Sequence, residues 1–181
     1  MGNLKVLLLL SFMHFYLTSS LQNLYWFVYE RCDITEINEN IVANMTYKCY
    51  KTNRTSLFMN FSYTSKVDII SNKDAQLSID TGFFRSNEYR SGPVKFNIPL
   101  CEVLTHKDFD IPYMLNHSNL HPCPIKKGES FFGYHLRPGA PNFPPLLPEG
   151  RWKLILRAVW KGTVAYVVNW YFKIVYPLPI A

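Results

Sequence analysis

Apolar and polar residues alternate with a period of two along most of the chain, and the apolar positions are rich in aromatic and β-branched side chains. That is the pattern of half-buried strands. In 56–66, SLFMNFSYTSK, Leu57, Met59, Phe61 and Tyr63 share one face while Asn60, Ser62 and Thr64 share the other. In 44–51, NMTYKCYK, the inward set is Met45, Tyr47 and Cys49, with Asn44, Thr46 and Lys48 facing out. Further strands are expected over 24–32, 75–84 and 93–101.

The clearest pair lies near the C-terminus. Trp152, Leu154, Leu156, Ala158 and Trp160 form one row, Lys161-Gly162 makes a tight turn, and Val164, Tyr166, Val168, Trp170, Phe172 and Ile174 form the returning row. Glycine supplies the positive φ such a hairpin needs. Both strands are also partly apolar on their other face (Ile155, Val159, Val167, Tyr171), so the hairpin is expected to be covered on both sides.

Two stretches break the alternation. Between Cys101 and Cys123 the spacing of Leu104, Phe109, Tyr113 and Leu120 suggests one or two short helices broken at Pro112. Residues 137–150 contain five prolines and two glycines and must form a loop, because proline cannot donate to a strand ladder. The expected fold is all-β: an immunoglobulin-like antiparallel β-sandwich of seven to nine strands, with a short helical or irregular loop between Cys101 and Cys123.

The first 20 residues read differently. Lys5 precedes an apolar run from Val6 to Leu17, and Thr18, Ser19 and Ser20 follow. The run is too short to span a bilayer and fits a secretory signal, so residues 1–20 are read as a signal peptide and 21–181 as one domain. Without Lys5, 18 basic residues face 13 acidic ones, scattered along the chain. Such a balance suits anionic surfaces mildly and gives no footprint for nucleic acid.

Secretion changes the reading of the cysteines. An even set in an oxidising compartment, Cys32, Cys49, Cys101 and Cys123, argues for two disulfides. Three pairings are open; the expectation is nearest-neighbour, Cys32–Cys49 and Cys101–Cys123. Four glycan acceptor triplets begin at Asn44, Asn53, Asn60 and Asn116, and agree with the same address.

The stretch 117–128, HSNLHPCPIKKG, gathers two histidines and a cysteine, with His135 downstream. His117 and His121 would share a helical face, but Asn119, Leu120 and Pro122 make a poor helix. A zinc site or a Cys–His nucleophile would need Cys123 as a free thiolate, which the disulfide reading denies it. His106 and His135 read as surface or loop residues, and Asp108 and Asp110 beside Lys107 as a solvated cluster. No catalytic residue, metal site or cofactor is expected.

The residues from Pro93 to Val175 resemble a known family. PVKFNIPLCEVL at 93–104, HPCPIKKGESFFGYHL at 121–136 and LLPEGRWKLILRAVW at 146–160 recur in that order in a large group of secreted insect proteins. That group is related to the ganglioside activator protein and the lipid-recognition (ML) superfamily, and includes insect chemosensory Che-type proteins. The chain departs from the lipid-recognition proteins in having fewer cysteines. The resemblance implies a sandwich whose sheets part to hold a lipid or hydrophobic small molecule, in chemosensation or pheromone response, with a membrane surface or receptor as a further partner.

Sixteen per cent of the residues are aromatic, which supplies an apolar surplus for such a cavity. The candidate lining is Met59, Phe61, Phe96, Trp152, Leu154, Leu156, Trp160, Tyr166, Val168, Trp170 and Phe172, with Lys126, Lys127 and Arg151 at the rim. The competing reading is an extracellular interaction module with a solid core and no cavity.

Overall fold

The computed structural model describes residues 25–105, 111–139 and 146–177. The proposed signal peptide, His106, Lys107, Asp108, Phe109 and Asp110 lie outside the described residues. Eight strands are present: β1 (Trp26–Thr35), β2 (Val42–Lys51), β3 (Leu57–Ser65), β4 (Ala75–Arg85), β5 (Glu88–Pro99), β6 (Ser130–Leu136), β7 (Gly150–Trp160) and β8 (Thr163–Val175). Two short helices, α1 (Leu100–Val103) and α2 (Ile111–Asn116), lie between β5 and β6. None of the described helices is long and apolar enough to cross a membrane.

The strands form two antiparallel sheets, five-stranded in the order β1-β8-β7-β4-β5 and three-stranded in the order β2-β3-β6. The expected β-sandwich is therefore the observed one. The sheets approach each other where β1 runs beside β2 and β3, and there Cys32 is bonded to Cys49 with the Cα atoms 6.0 Å apart. On the other flank α1 packs on β4 and β5, and α2 packs on β6. A second disulfide, Cys101–Cys123, ties α1 to the segment ahead of β6.

Several local outcomes differ from the sequence expectation, each for a definable reason. Pro112 stands in the first turn of α2, where its missing N–H costs nothing, so it starts a helix instead of breaking one. β5 begins at Glu88 because Ser86 and Asn87, both at positive φ (54° and 65°), fold β4 and β5 into a tight hairpin. Val164 leaves the inner row because the register shifts between Ala158 and Val159, setting it opposite Val159. Tyr47, opposite Phe61 on the edge strand β2, remains 42% exposed.

β6 was not legible as a strand. Its inner positions are Phe131 and Gly133, after which His135 adopts φ 59° and delivers Leu136, not His135, to the interior. Gly133 is required by close approach: a Cβ there would meet Leu136 Cδ1 at 2.5 Å and Phe61 Cε1 at 2.7 Å. The outer row of β8 is buried as well (Val167, Asn169, Tyr171). There the Tyr171 ring lies between Arg31 at 4.0 Å and Lys153 at 5.3 Å, so long side chains supply cover.

The hairpin end of the sandwich is packed solid. Ile69, Ala75, Ile125 and Phe131 form one cluster and Ile41, Val42, Ala158 and Ala165 another, with Trp160 against both. Phe131 is 1% exposed, and Phe131→Ala should cost about 3–5 kcal/mol of unfolding free energy. Chemical denaturation measures it; a loss below about 1 kcal/mol would contradict the close packing described.

Candidate functional site

Between the sheets lies a cavity of about 570 Å³. The large sheet supplies its floor with Ile34, Leu77, Ile79, Thr81, Val94, Phe96, Trp152, Leu154, Leu156, Tyr166, Val168, Trp170 and Phe172. The small sheet supplies Met45, Met59, Phe61, Tyr63 and Leu136. The flank carrying α1 and α2 is lined by Leu100, Val103, Leu104, Ile111, Met114, Leu120 and Ile125, and the remaining wall by Arg137, Pro138 and Leu147. These residues converge because strand alternation sends every second side chain inward.

Two buried aromatic groups, Tyr29 and Trp152, and the half-buried Tyr176 fix the described ends of the proline-rich loop. The Tyr29 hydroxyl donates to the Pro138 carbonyl. The Trp152 indole N–H donates to the Pro148 carbonyl at 2.9 Å, and the Tyr176 hydroxyl donates to the Leu147 carbonyl at 2.6 Å. Trp152 and Leu147 are thereby held on the wall with their polar groups satisfied. Gly150, at φ 135°, then opens β7, and a Cβ there would press on the Phe83 ring at 3.0 Å.

Ten of the eleven predicted lining residues stand on the cavity wall. The exception is Trp160, which continues the same row into the solid end, where its Nε1 donates to the Asp68 carbonyl at 3.3 Å. The predicted rim does not form. Arg151 alternates outward from Trp152 and pairs with Glu30 at 2.9 Å. Lys126 and Lys127 are exposed beside Ile125, and their backbone N–H groups donate to Glu129 and Asp68. The charged residue on the described wall is Arg137, whose guanidinium lies 5.1 Å from the Phe58 ring centroid. No strand alternation marked it, since it follows the end of β6.

The wall carries few polar groups. Thr81 Oγ1 donates to the Val94 carbonyl and accepts from the Val94 N–H, so it is satisfied within the sheet. The Tyr63 and Tyr166 rings lie beside each other, centroids 5.8 Å apart, with their hydroxyls in contact. Burial is the main cause raising both pKa values. Both residues are half-buried and line the cavity.

The histidine-rich stretch proves to be scaffolding. Residues 117–119 extend the free edge of β6: the Tyr134 N–H donates to the His117 carbonyl at 2.8 Å and the Asn119 N–H to the Phe132 carbonyl at 3.2 Å. His117 stacks on Tyr113, with ring centroids 4.1 Å apart. His135 is no loop bystander: it stacks on Phe58 at 3.6 Å, and its Nδ1 lies 2.8 Å from the Tyr50 hydroxyl. Among the described residues no three His, Cys, Asp or Glu side chains converge as metal ligands.

Of the glycan acceptors, Asn44, Asn53 and Asn116 are exposed. Asn60 is half-buried, and its Oδ1 accepts the His135 N–H at 2.8 Å.

The fold and cavity define the class of protein: a two-sheet β-sandwich enclosing an apolar chamber. Residues 77–154 match the model of a family described as a protein of unknown function (DUF1091). That span covers β4 through the first half of β7, and with it α1, α2 and the Cys101–Cys123 bridge. No curated protein matches the chain. Among solved structures, chicken MD-1 complexed with lipid IVa aligns with 11% identity over 79% of this chain and 96% of that one, at a TM-score of 0.38.

His121 and Glu129 form a titratable pair beside the wall residue Ile125. Its Nδ1 lies 2.8 Å from the Pro122 carbonyl and its Nε2 2.6 Å from Glu129 Oε1. Only the imidazolium can donate to both acceptors, so its pKa rises above 6.5, first through Pro122 and then through Glu129. The Glu129 pKa falls below 4.5, first through the Lys126 N–H and then through His121.

A raised histidine stabilises fully below its ordinary value and loses that contribution as pH climbs through the raised one. A lowered carboxylate stabilises above its ordinary value and loses that as pH falls. The pair therefore contributes most between about pH 4.5 and 6.5, and only modestly, since both groups are solvated. In thermal melts from pH 5 to 9, His121→Gln should lower the melting temperature most below pH 6.5 and converge with the parent above pH 8. A uniform offset across that range would be the contrary result.

Proposed function

We propose that the protein is a secreted carrier that holds a lipid or small hydrophobic molecule between its two sheets. The observation that carries this reading is the cavity itself. Its volume of about 570 Å³ falls within the range of ligand sites, and its wall is almost wholly apolar. An interaction module with a solid core would have no such space, and interior side chains ordinarily pack without voids of this size.

Both disulfides suit an oxidising compartment, and the three exposed glycan acceptors suit it too. Binding here needs no chemical step: Cys123 is bonded to Cys101 and offers no nucleophile. The resemblance of 93–175 to secreted insect proteins supports a role in chemosensation or pheromone response, with delivery to a membrane surface or receptor.

The test uses the disulfide-intact, delipidated protein titrated with the neutral fluorescent probe N-phenyl-1-naphthylamine. Saturable binding of one probe per chain is expected. Leu156→Trp, which projects a larger ring into the chamber, should weaken that binding at least about 10-fold while leaving the melting temperature within a few degrees. Absence of saturable binding by the parent protein would refute the carrier reading.

A further inference from the structure

The chamber also restricts what it can hold, and this step rests on the carrier reading above. An apolar cavity of about 150 Å³ takes one benzene, or about 25 Å³ per carbon. At that density 570 Å³ admits about twenty non-hydrogen atoms. One sixteen- to eighteen-carbon chain or one fused-ring skeleton meets this limit, whereas a lipid with two such chains exceeds it about twofold. Length agrees: along β8 the wall runs from Phe172 to Tyr166, six residues or about 20 Å.

Polarity narrows the class further. Apart from Thr81, whose hydroxyl is satisfied within the sheet, the hydroxyl-bearing residues of the described wall are Tyr63 and Tyr166, at the closed end where both rings pack on the solid cluster of Ile41, Val42, Ala158 and Ala165. Two hydroxyls in mutual contact share one O–H between them, which leaves the other as a donor for a ligand. A buried hydroxyl ordinarily finds a partner. An anion at this depth would meet no cation: the one charged residue on the described wall, Arg137, lies over Phe58 next to the Pro138 end. Uncompensated burial of an ionised carboxylate is far more costly than burial of a neutral oxygen.

We propose that the chamber selects a neutral amphiphile of about twenty non-hydrogen atoms, an alcohol, ketone or ester, whose single oxygen accepts a hydrogen bond from the Tyr63–Tyr166 pair at the closed end. The ligand enters oxygen first and leaves its hydrocarbon along the Phe172–Leu154 floor.

The experiment is competition against N-phenyl-1-naphthylamine by 1-hexadecanol, palmitic acid at pH 8 and dipalmitoyl phosphatidylcholine. It uses the parent and the Tyr63→Phe/Tyr166→Phe double variant, with thermal melts confirming that both are folded. Hexadecanol should displace the probe at least about 10-fold more effectively than palmitate, and the two-chain lipid should not displace it. The double variant should lose about 5- to 10-fold in hexadecanol affinity, measured relative to the probe affinity of the same variant, the worth of one or two hydrogen bonds.

Equal potency of palmitate, displacement by the two-chain lipid, or hexadecanol affinity unchanged in the double variant would overturn this inference and leave the carrier reading standing. Failure of the parent to bind the probe at all would instead remove the carrier reading itself. A double variant that melts more than about 10 °C below the parent would show that the hydroxyl pair serves the fold, and would likewise overturn the assignment.

Discussion

A five-stranded sheet facing a three-stranded one cannot be covered strand for strand. Neighbouring strands are about 4.8 Å apart, so about 10 Å of apolar inner face on the wider sheet has no strand opposite it. The sheets are held together on one flank, where β1 meets β2 and β3 and Cys32 joins Cys49. The mismatch therefore accumulates on the other flank, beneath β4 and β5. There the chain has α1, α2 and the Cys101–Cys123 bridge, which bring Leu100, Val103, Ile111, Met114 and Leu120 against the gap. The chamber is a consequence of unequal sheets wedged apart by a tethered segment.

How much of this could be read from the sequence follows from which parts obey a period. The inner rows of β3, β7 and β8 are strict alternations, so Met59, Phe61, Trp152, Leu154, Leu156, Val168, Trp170 and Phe172 could be assigned to the interior before any fold was known. Alternation gives direction but not extent. Trp160 belongs to the same row as Leu156, yet the row outlasts the chamber and ends in the solid cluster around Phe131. Val164 was misplaced because the register shift at the hairpin is written in no side chain.

The rest of the site lies where no period operates. α1 and α2 have four and six residues, too few to show a helical stripe, so Val103 and Met114 carry no signal of their own. β6 hides its strand character behind Gly133 and the left-handed His135, both of which the packing of Phe61 and Leu136 demands. The rim expectation failed for a related reason. A cluster of lysines in sequence says nothing about which way a loop faces, and Lys126 and Lys127 point away from the wall that their neighbour Ile125 joins. The histidines were read as surface or loop residues, and the work of His117 and His135 in pinning the β6 edge and stacking on Tyr113 and Phe58 is tertiary.

The chamber is not hollowed out by small side chains. Its wall includes Trp152, Trp170, Phe61, Phe96 and Phe172, residues that in a closed sandwich would interdigitate across the roughly 10 Å between sheets. Space persists because the sheets are kept apart, so the determinants of volume are the plug and its bridge, and the determinants of chemistry are the wall rows. These two sets are separate in the chain: the described plug residues lie within 100–105 and 111–125, whereas β3, β7 and β8 carry most of the wall. Substitution within the rows would alter which molecule fits without closing the chamber, and substitution in the plug would alter its size without changing the hydroxyl pair at its closed end. In the proposed carrier, a scaffold so divided would change ligand preference by single side-chain replacements while its two-sheet frame and disulfides stay fixed.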